Sequence, residues 1–197
     1  MKNREIYVSD GEYSLCRLTE IDKDEYLKLL RETTSISYES LSQEICNNIM
    51  WNLALEGVFC EFSIIDNMGN YCGNIMIKYP KTEHPEIGID IVEKYRNHGI
   101  APKAIKMLAK RAYCDRQVEY YILRVSSQNQ HSKHVIEKLG GVLDNSEDLF
   151  FNRLLCALKD RFEGESYEKL RKMVKEELLA DEEEVYQYKY YPESFLK

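Results

Sequence analysis

Arg96-Asn97-His98-Gly99-Ile100-Ala101 is the stretch on which the fold turns. It follows directly on a strand-like run, Ile87 to Val92, and leads into a helical pattern that opens with Pro102. A strand, a short glycine-bearing loop and a helix N-terminus make a grip for a pyrophosphate. Successive backbone N–H groups turn inward there and add to the helix's own unpaired donors and dipole. Pro102 suits the first helical position, where the N–H it lacks has no intrahelical partner. The other reading of the same glycine is an ordinary strand-to-helix turn with a stray basic residue.

The flanking residues weigh on that choice. Upstream, Glu86, Gly88 and Asp90 alternate with Ile87, Ile89 and Ile91, so one face of this strand is packed and the other holds something polar. Downstream, Ile105, Leu108, Ala109 and Ala112 recur at core spacing while Lys103, Lys106 and Lys110 turn outward, with Lys103 close enough to the loop to aid a phosphate. Working outward, strands and helices alternate as in a mixed sheet flanked by helices. Tyr13 to Thr19 reads as a strand, followed by helices from Asp22 to Arg31 and near Leu41 to Trp51. Val58 to Asp66 and Asn70 to Tyr79 read as strands joined through Asn67-Met68-Gly69. Tyr120 to Val125 is a buried strand by composition, and Gly140-Gly141 ends a helix that runs from Gln130 to Leu139. Two helices, Glu147 to Phe162 and Tyr167 to Ala180, then precede a last strand from Val185 to Tyr191.

Composition bounds the function. A chain of 197 residues, 44% hydrophobic, buries one substantial core, so a single domain over 1–197 is expected. No apolar run reaches membrane-spanning length, and Met1-Lys2-Asn3-Arg4-Glu5 leads into no signal-peptide core; a soluble, cytoplasmic chain with no membrane partner is expected. The cysteines at 16, 46, 60, 72, 114 and 156 form no close pair of the kind that zinc or redox chemistry needs, and are read as reduced thiols. A net charge of -7 argues against nucleic acid and suits a cationic partner. Between Asp144 and Glu184 stand 13 acidic and 7 basic residues, which accounts for six of the seven net charges. That segment either steers a cationic amine or forms two solvated amphipathic helices, packing Phe150, Leu154, Leu170 and Val174 onto the core or onto a second copy in a homodimer. His131 and His134 lie three apart without a third ligand, so no metal is expected. The tyrosines at 186, 188, 190 and 191 finish a sheet rather than form a base-stacking platform.

Glu86 to Ala101 resembles the acetyl-CoA motif of the GNAT N-acetyltransferase superfamily. It is most similar to the branch that includes ribosomal-protein N-terminal acetyltransferases. Arg96, Gly99 and Ala101 fill the three places of that family's signature. Asn129-Gln130-His131-Ser132, running into Glu137-Lys138-Leu139-Gly140, is similar to a second block of the family, and Leu15 to Asp22 to its first strand and helix start. Together these blocks cover roughly 13–143, in the family's order. The resemblance implies an α/β (α+β) GNAT fold: a central mixed, mostly antiparallel twisted sheet of about six or seven strands flanked by helices. Its core would be 13–143 plus the final strand 185–191, with a helical insertion at about 144–183 before that strand.

The same resemblance implies acetyl-CoA as co-substrate and an amine acceptor, either a small molecule or a protein N-terminus. Ile89 and Ile91 would offer main-chain groups to the pantetheine arm. Asn97, His98, Gly99, Ile100, Ala101 and Pro102 would wrap the pyrophosphate, Arg96 would support it by charge, and Asn129 would lie near the pantetheine. Acyl transfer from a thioester needs the amine deprotonated, the carbonyl oxygen stabilised and the leaving thiolate protonated. Glu86 matches the glutamate that several relatives use as general base, although after Pro85 it also reads as a strand-edge charge. Asp90, on the same face, is a second base or a clamp for the ammonium. Many relatives place a tyrosine acid where this chain has Ile136; Ser132, a water or a tyrosine from elsewhere would take its place. No cysteine sits in a nucleophile's setting, so direct attack in a ternary complex is expected. The alternative is a module that binds acyl-CoA without chemistry.

Overall fold

Asp66 closes a hairpin at the middle of the sheet. Its carboxylate accepts the amide N–H groups of Met68 (2.9 Å) and Asn70 (2.8 Å) and the side-chain amide of Asn70 (2.8 Å). Gly69 supplies the left-handed residue that the turn needs, with φ 87°. In the computed structural model, which describes residues 4–33, 43–55, 59–144 and 185–192, this turn joins two antiparallel strands. The strands are β1 (Ile6–Ser9), β2 (Tyr13–Arg17), β3 (Cys60–Asp66), β4 (Tyr71–Lys78), β5 (Glu86–Ile91), β6 (Tyr121–Ser126), β7 (Val142–Asp144) and β8 (Val185–Tyr190). The helices are α1 (Lys23–Thr33), α2 (Gln43–Leu55), α3 (Ile100–Asp115) and α4 (Gln130–Lys138). The strand order β1-β2-β3-β4-β5-β6-β8-β7 makes one mixed, mostly antiparallel sheet of eight strands flanked by helices. Two strands lie outside those read from the sequence: β7, of three residues, and β1, four residues hairpinned onto β2 through Asp10, whose carboxylate accepts the N–H groups of Glu12 and Tyr13.

Residues cluster into two compact units, one of Met1–Lys78, Ile87–Val118 and Pro192–Lys197, the other of Tyr79–Glu86 and Glu119–Tyr191. In the first unit, side chains alternate between two covered faces. Cys16, Ile65 and Tyr71 pack with Leu29 of α1, and Trp51 of α2 packs with Tyr26, Leu27 and Ala54. On the opposite face α3 buries Ala104, Ile105, Leu108, Ala109 and Ala112, the core stripe expected from its spacing. Tyr7 of β1 donates its hydroxyl proton to Asp115 at the far end of that helix. Leu29 and Leu108 are 1% and 0% exposed, and burial at that level contributes about 2 kcal/mol each. The helix opens at Ile100 rather than Pro102. Pro102 is its third residue, where the absent N–H would still have been one of the first four without an intrahelical acceptor.

In the second unit, the N–H of Ile122 donates to the carbonyl of Pro85 at 2.9 Å, and Glu86 faces Ile122 in parallel register. β8 lies antiparallel to both β6 and β7, so the two strands that close the sheet are neighbours although 145–184 separates them in sequence. The helices expected at Glu147 to Phe162 and Tyr167 to Ala180 lie outside the described residues. Gly140, at φ 87°, ends the helical turn after α4.

Candidate active site

In the first unit, β5 runs tightly against β4. The N–H of Val92 donates to the carbonyl of Cys72 at 3.0 Å. A β-carbon placed on Gly73 would stand 2.2 Å from the carbonyl oxygen of Asp90, so only glycine lets the two backbones approach this closely. After Ile91 the chain makes a 3-10 turn over Glu93–Tyr95 and reaches Arg96, whose Nε donates to the carbonyl of Ile91 at 3.0 Å. Arg96 therefore holds the loop's entry onto the end of the strand. The Nδ1 of His98 lies 2.8 Å from the carbonyl of Arg96, which makes it the protonated ring nitrogen.

Asn97 and Gly99 both adopt positive φ, 65° and 73°. Asparagine tolerates that region and glycine enters it freely. Gly99 is the N-cap of α3 and offers no side chain to it, and the first turn holds no acidic residue. A helix of 16 residues thus presents its first N–H groups and its positive dipole end without a side-chain cap. Apart from adjoining residues, no atom lies within 4 Å of where a Gly99 β-carbon would stand, so the loop is open on that side. Residues Arg96 to Pro102 fit an anion of the kind the sequence implied. Lys103 is turned away from that work: its ammonium pairs with Glu12 and sits 5.5 Å over the ring of Tyr13.

Asp90 belongs to the same unit. It lies on the face of β5 that also holds Gly88, where a β-carbon would come within 3.0 Å of the Lys78 side chain and 3.3 Å of that of Met76 on β4. Burial pushes its carboxyl above the ordinary range, against the pull of Lys78, a hydrogen bond from Thr33 and Arg96. Burial does the same to Glu61 of β3, opposed by a hydrogen bond from Tyr26 and by Lys78, while Asp90 reinforces it. The two carboxylates therefore share one electrostatic neighbourhood. Ile89 and Ile91 alternate onto the opposite face, and the Ile91 carbonyl is already taken by Arg96. Sequence reasoning missed Glu61, Ser63 and Asn74 around Asp90. The signal was there as alternation, since Glu61 and Ser63 take alternate places of β3 with Phe62 and Ile64.

The remaining residues singled out from the sequence lie in the second unit. Glu86 is 3% exposed, and Arg124 of β6 donates to it from Nε at 2.8 Å and from a terminal guanidinium nitrogen at 3.4 Å. Asn129 caps α4, its side-chain oxygen accepting the N–H of Ser132 at 3.0 Å. Ile136 is buried against Gly141, and His131 and His134 are exposed. Among the described residues there is no cluster of three groups able to hold a metal, and no helix is long and apolar enough to cross a membrane. Cys16, Cys60, Cys72 and Cys114 are free thiols. Burial pushes Cys72 up to about 11, far from a nucleophilic thiolate at neutral pH.

The family model of the acetyltransferase (GNAT) domain matches residues 15–142, more than half of the chain. No curated protein matches the chain by sequence. Among solved structures it is similar to a mutant form of the spermidine/spermine N-acetyltransferase SpeG from Vibrio cholerae, with 15% identity, a TM-score of 0.65, and 95% of this chain and 98% of that one covered. A dodecameric structure of spermidine N-acetyltransferase from the same organism aligns at 14% identity and a TM-score of 0.64, covering 95% and 98%. SpeG in complex with manganese ions aligns at 15% and 0.61, covering 94% and 96%. At such identity these likenesses concern the fold. The match of the domain model, over a stretch that runs from β2 to β7 and includes the uncapped α3 loop, carries the assignment further: the chain belongs to the GNAT acetyltransferase family.

Proposed function

We propose that this acyltransferase moves the acetyl group of acetyl-CoA, the family's acyl donor, onto the primary amine of a cationic acceptor by direct attack in a ternary complex. The observation that carries the reading is the N-terminus of α3, long, without a side-chain cap or an acid in its first turn, and entered through two left-handed residues. Gly99, Ile100 and Ala101 would give their N–H groups to the pyrophosphate, with Asn97, His98 and Pro102 shaping the loop and Arg96 adding charge while holding Ile91. The main chain of Ile89 and Ile91 would flank the pantetheine. Acetyl-CoA, when bound, supplies a thioester carbonyl open to nucleophilic attack.

Asp90 is the residue of this chain best suited to take the amine's proton, because burial raises its affinity for one. Glu86, the other carboxylate of the motif, is engaged by Arg124 and serves the sheet. Ile136 cannot return a proton to the thiolate, which leaves that step to Ser132, a water or a tyrosine from elsewhere. The high pKa of Cys72 supports direct attack over an acetyl-enzyme. A cationic acceptor accords with the net charge of -7 and with the polyamine substrates named for the structural neighbours. One of those neighbours is dodecameric, and self-association of this chain belongs to the same reading.

Calorimetric titration of acetyl-CoA into the native chain and into Gly99→Glu tests it. Binding by the native chain, lost in the variant that sets a carboxylate before the helix, is expected, followed by thiol release when a primary amine is added. No binding by the native chain overturns the reading.

A further inference from the structure

Four buried polar atoms of the first unit have no hydrogen-bond partner among the described residues: Glu61 Oε2, Ser63 Oγ, Tyr71 OH and Asn74 Oδ1. Ser63 and Asn74 are 0% and 1% exposed. They face each other across β3 and β4 in register, on the face that also carries Glu61, opposite Met76. The pairing of Val92 with Cys72, and the contact of Gly88 with Met76, fix β5 antiparallel to β4 so that Asn74 falls beside Asp90. The four atoms and Asp90 therefore gather on one sheet face, over which α1 brings Tyr26. A buried polar atom without a partner costs about 1–3 kcal/mol, and several in one place mark a site built for something that satisfies them.

What would satisfy them follows from the inventory. Glu61 and Asp90 are carboxylates and the unpartnered atom of Asn74 is a carbonyl oxygen, all acceptors; the hydroxyls of Ser63 and Tyr71 accept as readily as they donate. Lys78 acts on both carboxylates and Arg96 on Asp90 as well, and Tyr26 donates to Glu61 and Thr33 to Asp90, yet Oε2 of Glu61 is left without a donor. Ser63 and Asn74 are fully buried while Glu61 and Asp90 are only partly so, which puts the two carboxylates at the more accessible end of the group. We propose that this well, with Ser63 and Asn74 at its floor and Glu61 and Asp90 at its rim, binds the terminal ammonium of an unbranched alkylamine. A primary ammonium has three donors and no acceptor, matching the set, and the rings of Tyr26 and Tyr71 with the Met76 side chain suit its methylene chain. A peptide N-terminus carries a carbonyl and a side chain on the carbon next to its nitrogen and is disfavoured. The inference rests on the acetyltransferase reading only for the amine's role as acceptor, not for its binding.

Calorimetric titration of 1,4-diaminobutane into the full chain without acetyl-CoA tests it, with 1,4-butanediol and sodium chloride as controls. Binding of the diamine alone is expected, weakened about tenfold or more in Glu61→Gln, as loss of a charge-assisted contact implies, with the acetyl-CoA affinity of that variant unchanged. Equal diamine affinity in native chain and variant, or binding matched by sodium ion, overturns the proposal. Should Glu61→Gln not fold, the melting temperature of the native chain decides: a rise with 1,4-diaminobutane beyond that at equal ionic strength supports the site, and no rise overturns it. Diamine binding without acetyl-CoA binding would sink the acetyltransferase reading and leave this site standing, whereas acetyl-CoA binding without diamine binding does the reverse.

Discussion

Glu86 and Arg124 meet at 2.8 Å across the register at which β5 lies parallel to β6, with the carboxylate 3% exposed. A parallel pair of this kind has no turn to fix it and must be held by side chains and distant connections. Removing one member of a buried ion pair leaves the other's charge stranded at a cost of about 3–5 kcal/mol. Glu86→Ala is therefore expected to lose that order of stability in urea unfolding. Joint replacement of Glu86 and Arg124 by Met and Leu should recover most of it, because the apolar pair strands no charge. Unchanged stability of Glu86→Ala together with collapsed acetyl transfer would return the general-base role to Glu86.

Gly73 is placed to show how the candidate base is held. Its missing β-carbon is what lets β4 approach the carbonyl of Asp90, the distance with a methyl present being 2.2 Å. Backbone cannot yield as the end of a flexible side chain does. Gly73→Ala should destabilise the fold by about 1–3 kcal/mol and lower acetyl transfer by more than the unfolded fraction explains, since the shift falls on Asp90 itself. Thermal melts paired with kcat on the folded fraction separate the two effects; a kcat that follows stability alone would deny Asp90 its part.

Much of this was legible beforehand. The period-two alternation of Glu86 to Ile91, the core stripe of α3 and the turn at Asp66 to Gly69 each state their structure locally, through spacing or turn chemistry. What escaped is non-local or too short. β1 and β7 have only four and three residues, too few for a period to announce them, and the start of α3 at Ile100 has no side-chain cap to mark it. The Glu86–Arg124 pair joins residues 38 apart, which no window along the chain connects. The grouping of Glu61, Ser63 and Asn74 beside Asp90 depends on three strands in register. The role of Lys103 was likewise written partly elsewhere, in Glu12 of another hairpin.

The buried carboxylates predict a pH dependence of definite sign. Burial raises both Asp90 and Glu61 above their ordinary values, which in an unfolded chain lie near about pH 4. Between those values and the raised ones the folded state holds more protons than the unfolded chain, so stability falls as pH rises through that window. Asp90→Asn and Glu61→Gln should flatten the fall and be more stable than the native chain at about pH 8 in urea titrations. The acidic limb of kcat/KM should lie above the ordinary carboxylate range, and Asp90→Asn should lower kcat by about 10²–10⁴-fold. Parallel stability profiles for native chain and variants would remove the coupling between these groups and folding.

Asn129 separates a cap from a contact. Its side-chain oxygen accepts the N–H of Ser132 and closes the first turn of α4, a bond whose loss to alanine costs about 1 kcal/mol. Aspartate keeps the accepting oxygen and adds a charge that the helix dipole favours, but it replaces the amide's donors with an acceptor. Asn129→Ala should therefore lower the melting temperature, and Asn129→Asp should restore it. If the amide also contacts the pantetheine, both variants raise the KM for acetyl-CoA, the aspartate as much as the alanine despite its intact cap. A KM that recovers with stability in Asn129→Asp would show that the residue acts on the cofactor only by building the helix.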